Sequence, residues 1–300
     1  MISICVVLFN TEPELVAACV ESVAASRLPS GEAVEMVIVD NGSRTEPVLP
    51  VTTVPLTLVR LPTNLGFAKA MNRAVAAAAG DLVLCLNPDA ALSPTALATL
   101  AETLRAQSTR SLLVAFLLND GGVQVDALTL WMFSSGRLWR RSRSRRELER
   151  SRAGGTAFPV RKVSGGALFG RRDDLVELGP FNEQFFLYGE DADLSLRAVG
   201  AGFSLLAVPA APVDHVGGSS ASSFGSLVER ARQDAALRLV SLHHSHPVAL
   251  LARAEAVAVA VAGLAQSAGR SSSASRSARL ARLSEIRRWG VRRSVPPFVP

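Results

Sequence analysis

Residues 34–43 read VEMVIVDNGS. A run of Val, Met and Ile stops abruptly at Asp40-Asn41-Gly42-Ser43, the residue types that make turns. Apolar, β-branched runs of this length mark strands covered on both faces, as in parallel sheets. The chain opens with the same signature: residues 2–9 read ISICVVLF, and polar Asn10-Thr11-Glu12 follow. Between the two runs, Leu15, Cys19, Val20 and Val23 fall at helical spacing over 14–25, with Thr11 as a candidate cap. Working outward, 56–61 reads as a third strand and 67–79 as a helix. A fourth strand, 82–86, ends in Asn87-Pro88-Asp89, and 93–106 is a helix with Pro94 at its first position. Residues 112–116 predict a further strand and 119–122 a turn.

This alternation predicts an α/β fold with a mostly parallel central sheet flanked by helices. Ligands of such sheets bind outside the carboxyl ends of the strands. Polar clusters at 9–12, 40–43, 64–68 and 87–89 all fall at or near those ends, so four strand ends point to one site.

A second informative stretch runs from 163 to 219. A Gly-Gly turn leads into a short apolar run and an amphipathic segment. Glu190, Asp191 and Asp193 follow within four residues, after an aromatic, weakly charged lead-in of Phe181, Phe185, Phe186 and Tyr188. Acidic residues also suit the start of the helix expected over 192–201, where the macrodipole favours them. That preference accounts for the carboxylates but not for the aromatics, so Asp191 is read as a candidate general base. Asn87-Pro88-Asp89 fits a turn and helix cap equally with a site where one carboxylate holds a divalent cation against phosphates. Asp40 fits an Asx turn equally with an acceptor for a base or ribose. His215 precedes two glycines; alone, a histidine there reads as an ordinary surface or core residue, with metal or phosphate contact as the alternative.

The bulk properties narrow the function classes. The 300 residues are 48% hydrophobic and 19% charged, with a mean hydropathy of +0.26, ample for a core. The net charge is +6. Arginine carries it, Lys69 and Lys162 being the only lysines, and it gathers at 137–152 and 270–293. Such clusters suit a solvated surface, anionic lipid or phosphorylated substrates. Without interleaved aromatics or a recognised module, nucleic acid is disfavoured. Cys5, Cys19 and Cys85 are scattered in apolar segments, which fits buried reduced thiols in a cytoplasmic protein. Residues 2–9 are too short for a signal peptide. The longest apolar stretch, 247–265, is broken by Arg253 and Glu255, a poor membrane span and a fair amphipathic or buried helix. The segment 131–155, rich in Ser and Arg with little periodicity, predicts a loop. Residues 267–277 predict a flexible stretch, 279–288 a basic helix, and 294–300 a disordered tail.

Seven segments then occur together in order: VVLFN (6–10), VDNGS (39–43), NLGFAKAMNRA (64–74), LCLNPDA (84–90), GGALFGRR (165–172), GPFNEQFFLYGEDADLSLR (179–197) and HVGGS (215–219). In order and spacing they resemble the family-2 inverting glycosyltransferases with the GT-A fold, most closely the rhamnosyltransferase-like branch. The resemblance covers about 2–219 and implies a GT-A domain over 1–222, with 223–300 a basic helical extension ending in a flexible tail. It implies a nucleotide-diphosphate sugar donor whose base and ribose meet Phe9, Asn10, Glu12, Asp40 and Asn41. Gly66, Phe67, Lys69, Asn72, Asn87 and Gly166 would line the donor. Asp89, with His215, would hold a divalent cation (Mg or Mn), and Asp191 would act as base beside Glu190. Asn87 stands where many relatives carry the first Asp of an Asp-x-Asp motif; the rhamnosyltransferase-like branch commonly shows Asn-Pro-Asp.

The leading expectation is transfer of L-rhamnose from dTDP-L-rhamnose to a lipid-linked or cell-surface polysaccharide acceptor. The enzyme would be cytoplasmic or peripheral on the inner face of the membrane, against an anionic surface, with a homo-oligomer open. A transferase for a small natural product and a non-catalytic scaffold on this fold are the alternatives. No Gly-x-Gly-x-x-Gly follows the first strand, against a dinucleotide oxidoreductase. No Gly-rich basic triphosphate loop opens the chain, against a nucleotidylyltransferase.

Overall fold

The computed structural model describes residues 1–130, 133–216, 225–266 and 273–298. At its centre β1 (Ile2–Leu8), buried along its whole length, pairs in parallel with β2 (Val34–Asp40) on one side and β4 (Leu82–Leu86) on the other. β3 (Leu56–Arg60) adds parallel to β2 at the edge. The helices between these strands cover the sheet. α1 (Pro13–Ala24) starts with proline, which suits a first turn, and buries Val16, Cys19, Val20 and Val23. Each such side chain contributes about 1.5–3 kcal/mol before the entropy cost of ordering. α2 (Phe67–Ala77) does the same through Ala70, Met71, Ala74 and Val75.

Beyond β4 the parallel pattern gives way to a mixed one. The order across the sheet is β3-β2-β1-β4-β9-β6-β10-β5. Here β5 is Ala90–Leu92, followed by α3 (Ala96–Arg105), and β6 is Ser111–Asn119. β7 (Gly122–Val123), α4 (Val125–Leu128), α5 (Ser134–Ala153) and β8 (Phe158–Pro159) lead to β9 (Ala167–Arg171). α6 (Arg172–Leu178) and α7 (Glu190–Gly200) precede β10 (Ser204–His215). β9 runs antiparallel to both β4 and β6, and β10 parallel to β6. The end of β10 pairs antiparallel with β5, setting His215 opposite Ala90. That pairing delivers His215 to the residue beside Asp89.

The last part of the chain forms α8 (Gly225–His243), α9 (His246–Gln266) and α10 (Ser273–Trp289). They pack around Trp289, which is buried with Leu237, Ala256, Ile286 and Val295. Asp234 is the polar centre of this module. Its carboxylate accepts from Arg238 at 3.0 and 3.1 Å, from Trp289 Nε1 at 2.9 Å and from Arg288 at 3.1 Å. Arg238 in turn donates to the carbonyls of Val295 and Pro296. A second cluster (Phe185, Ala192, Ala235 and Leu239) joins α7 to α8.

Two expectations are corrected here. Residues 134–153 are helical, not a loop. Arginine is a good helix former, exposed pairs such as Arg143–Glu147 add to it, and Leu148 packs on the main core, so the helix forms without an apolar period. Residues 294–298 are not disordered: Val295 and Phe298 are buried, because Arg238 and Arg288 hold the carbonyls of the Pro-rich segment. α9 is helical as expected, but most of its length is not buried. Gly217, Gly218 and Ser219, most of the expected flexible stretch 267–277, and the final residues 299 and 300 lie outside the described residues. The three cysteines are buried thiols, and burial pushes Cys19 and Cys85 up to about 12.

Candidate active site

The carboxyl ends of β1, β2 and β4 open into a cleft of about 470 Å³, closed on its far side by Leu227, Val228, Ala231 and Arg232 of α8. Asn41 ties down one rim. Its amide nitrogen donates to Asn64 Oδ1 (2.9 Å) and the Gly66 carbonyl (3.3 Å), and its Oδ1 accepts from Leu65 N–H (2.9 Å). Gly66 is at φ +89°, and a Cβ there would stand 2.5 Å from the Phe186 carbonyl, so only glycine fits. That carbonyl accepts from Phe67 N–H at 2.7 Å, which binds the start of α2 to the loop before α7.

At the end of β4, Asp89 Oδ1 lies 3.1 Å from His215 Nε2. Gln124 decides the state of the ring. Its amide nitrogen donates to the carbonyls of Leu118 and His215, so its Oε1 faces His215 Nδ1 at 2.8 Å and accepts from it. In the neutral ring Nε2 then carries the lone pair, and Asn87 Nδ2 approaches it at 2.9 Å. A carboxylate oxygen and an imidazole lone pair facing each other suit a cation between them. Oxygen and imidazole donors are the set that Mn²⁺ or Mg²⁺ takes, and the remaining positions are commonly filled by substrate phosphates. The residues present therefore fit a divalent cation, though among the described residues no group of three or more His, Cys, Asp or Glu converges. A second cavity of about 450 Å³ lies on the other side of the same pair.

At the start of α7, Asp191 Oδ2 is 2.9 Å from Lys162 Nζ, which also donates to the Asp126 carbonyl at 3.0 Å. Glu190 beside it is buried, and its Oε2 has no hydrogen-bond partner among the described residues. Burial, reinforced by the Asp191 charge, pushes the Glu190 carboxyl up to about 8. Gly189, at φ +84°, and Tyr188, at φ +68°, make the sharp turn that presents both carboxyls to the cleft. Arg232 lies over the Tyr188 ring at 4.8 Å.

The cleft thus gathers Phe9, Asn41, Gly66, Phe67, Asn87, Asp89, Gly166, Glu190, Asp191 and His215 from the expected set. Five expected residues stand outside its wall. Both oxygens of buried Asp40 are engaged, by Ser43 N–H and Arg60, so it holds the turn and presents Asn41 instead. Asn10 straps the β1 loop to the β2 loop through Ser43 and Arg44. Glu12 is exposed, and its carbonyl starts α1. Lys69 is half-buried on α2. Asn72 is occupied by the backbone of Phe181 on both sides. Asp193 binds Arg197 and His243, a structural role. Gln124 and Lys162 were missed. For Lys162 a signal existed, one of only two lysines in an arginine-rich chain.

The model of glycosyl transferase family 2 matches residues 3–174, more than half of the chain. The chain belongs to glycosyl transferase family 2. This family-2 protein is a glycosyltransferase, an enzyme, with the GT-A fold. N-acetylglucosaminyl-diphospho-decaprenol L-rhamnosyltransferase of Mycobacterium tuberculosis is 28% identical to it over 213 residues, covering 64% of this chain and 69% of that one. Among solved structures, GalNAc-T7 with UDP, GalNAc and Mn²⁺ superposes with a TM-score of 0.58 at 16% identity. That match covers 80% of this chain, which spans about half (47%) of that protein. The mannosyltransferase PcManGT from Pyrobaculum calidifontis, in complex with GDP-Man and Mn²⁺, gives 0.53 at 16% identity, covering 95% of this chain and 86% of its own. At such identities these likenesses speak for the fold of the family-2 domain.

Proposed function

We propose that this glycosyltransferase moves L-rhamnose from dTDP-L-rhamnose to a lipid-linked or cell-surface polysaccharide acceptor, with inversion at the anomeric carbon. The observation that carries the reading is the meeting, in one cleft, of an Asp89–His215 pair and an Asp191 carboxylate held by Lys162. The rhamnosyltransferase named above supports the sugar and the lipid-linked acceptor, and the neighbours with UDP or GDP-Man support a nucleotide-diphosphate donor. Residues 1–222 are assigned to transfer and 223–300 to a helical extension, working in the cytoplasm at the membrane's inner face.

Phe9, Asn41, Gly66 and Phe67 line the part of the cleft that would take the nucleotide. Asp89 and His215 would hold a divalent cation, which supplies positive charge against the departing diphosphate. Asp191 takes the proton of the attacking acceptor hydroxyl as the new bond to the anomeric carbon forms. The bond to the nucleoside diphosphate breaks on the opposite side, and its electron pair leaves with the diphosphate. Glu190, its carboxyl pushed up to about 8 by burial and the neighbouring Asp191 charge, would hold a proton more readily than an ordinary carboxylate. Lys162 orients Asp191 through its second contact to the Asp126 carbonyl.

Calorimetry with dTDP-rhamnose, UDP-sugars and GDP-sugars, with and without Mn²⁺, tests the reading. Cation-dependent binding of dTDP-rhamnose is expected, and Asp89→Ala should remove the cation dependence. Binding of a UDP- or GDP-sugar in its place would overturn the donor assignment.

A further inference from the structure

α9 carries its polarity inside out. Pro247, Leu251, Ala254, Ala258 and Val261, spaced by three and four residues, share its exposed face with no charged residue among them. Leu251 is 64% exposed and Val261 52%. The charges of the helix point inward instead. Arg253 is buried, donating to the Gly290 carbonyl and Ser241 Oγ and lying 5.0 Å from the Trp289 ring centre. Glu255 accepts from Ser135 N–H at 2.5 Å. An exposed, unbroken apolar stripe about 21 Å long needs a covering, as isolated surface apolar residues do not.

The neighbours of the stripe indicate what covers it. α5 starts against α9, with Phe133 packed on Val240, Ala249 and Ala252. It carries eight arginines and two glutamates, a net +6 equal to that of the whole chain. Arg140, Arg143, Arg145, Arg146 and Arg150 are exposed. α10, packed on the other helices of the module, has a net charge of +4. A second copy meeting this face would bring like charges together. An anionic bilayer offers apolar depth to the stripe and negative headgroups to the arginines. The helix is long and apolar enough to cross a membrane, but crossing would strip Arg253 and Glu255 of their partners, so it lies in the interface.

We infer that the outer face of α9, flanked by the arginines of α5, is a monotopic docking surface for anionic lipid. The surface is independent of donor chemistry and deepens the proposed function by placing the enzyme at the source of a lipid-linked acceptor.

Flotation of the full chain with phosphatidylcholine vesicles, with and without phosphatidylglycerol, tests it. Binding is expected only with phosphatidylglycerol, weakening as salt rises. Leu251→Asp combined with Val261→Asp should weaken binding at least about tenfold, while the thermal midpoint and dTDP-rhamnose binding stay unchanged. Arg146→Ala with Arg150→Ala should lower affinity by about fivefold per arginine and flatten the salt dependence. Failure of the wild-type chain to float, or equal flotation of the aspartate variant, would overturn the surface without touching the donor assignment. So would lipid-free dimerisation that the aspartate variant abolishes.

Discussion

Glu190 and Asp191 are adjacent in sequence yet meet different surroundings, and the difference sets what each does. Asp191 is paired with Lys162, whereas Glu190 is enclosed with an oxygen that has no partner among the described residues. Asp191→Asn should therefore lower turnover by about 10²–10⁴-fold with donor affinity nearly intact, as single-turnover kinetics and calorimetry would resolve. For Glu190 the folded carboxyl titrates at about 8 against 4.5 unfolded, so between those values the native state binds the extra proton. Stability should fall as pH rises from about 4.5 to about 8 and then level off, by on the order of a few kcal/mol. Glu190→Gln should remove that slope in urea melts taken across the range. The carboxylate pair and the Asn-Pro-Asp turn stand out by residue type, whereas His215 entered the candidate site only through the order of the seven segments. The type of Asp40 fits both a ligand and a turn, and in the structure Ser43 N–H and Arg60 engage both of its oxygens. Gln124 carried no signal, since its role depends on the carbonyls of Leu118 and His215 meeting it across a β-bridge.

Among elements, the buried strands announced themselves through unbroken β-branched runs, and β1 to β4 match the expected order. β5 and β10 did not, because a three-residue strand has no period and β10 carries a register shift between Val208 and Pro212. α5 was hidden for the opposite reason: it packs on the main core through Leu148 and otherwise carries mostly arginine, serine and glutamate, so it writes no apolar stripe. The C-terminal helices depend on a polar centre instead of a large core. Asp234→Ala would leave Arg238 buried without its carboxylate and should cost about 3–5 kcal/mol, measurable by denaturant unfolding. Asp234→Asn should cost less, since it still accepts from Trp289 Nε1.

For the molecule as a whole, the extension proposed beyond residue 222 also shapes the site, because its first helix, α8, supplies one wall of the cleft. Phe298 also reaches back, its ring centre 5.9 Å from that of Phe186, whose backbone fixes the start of α2. Phe298→Ala should thus weaken donor binding more than it slows turnover at saturating donor, as a comparison of KM with kcat would reveal. Equal losses in both would place the effect elsewhere.

The reach of Phe298 also has a consequence in time. The ribosome releases the sheet strands early, and they can fold as they emerge. The ring that braces Phe186 is translated after everything it touches. A nascent chain can therefore hold most of its sheet and still lack a finished donor pocket. Consumption of the nucleotide sugar would then start only after the stretch around Phe298 has left the exit tunnel.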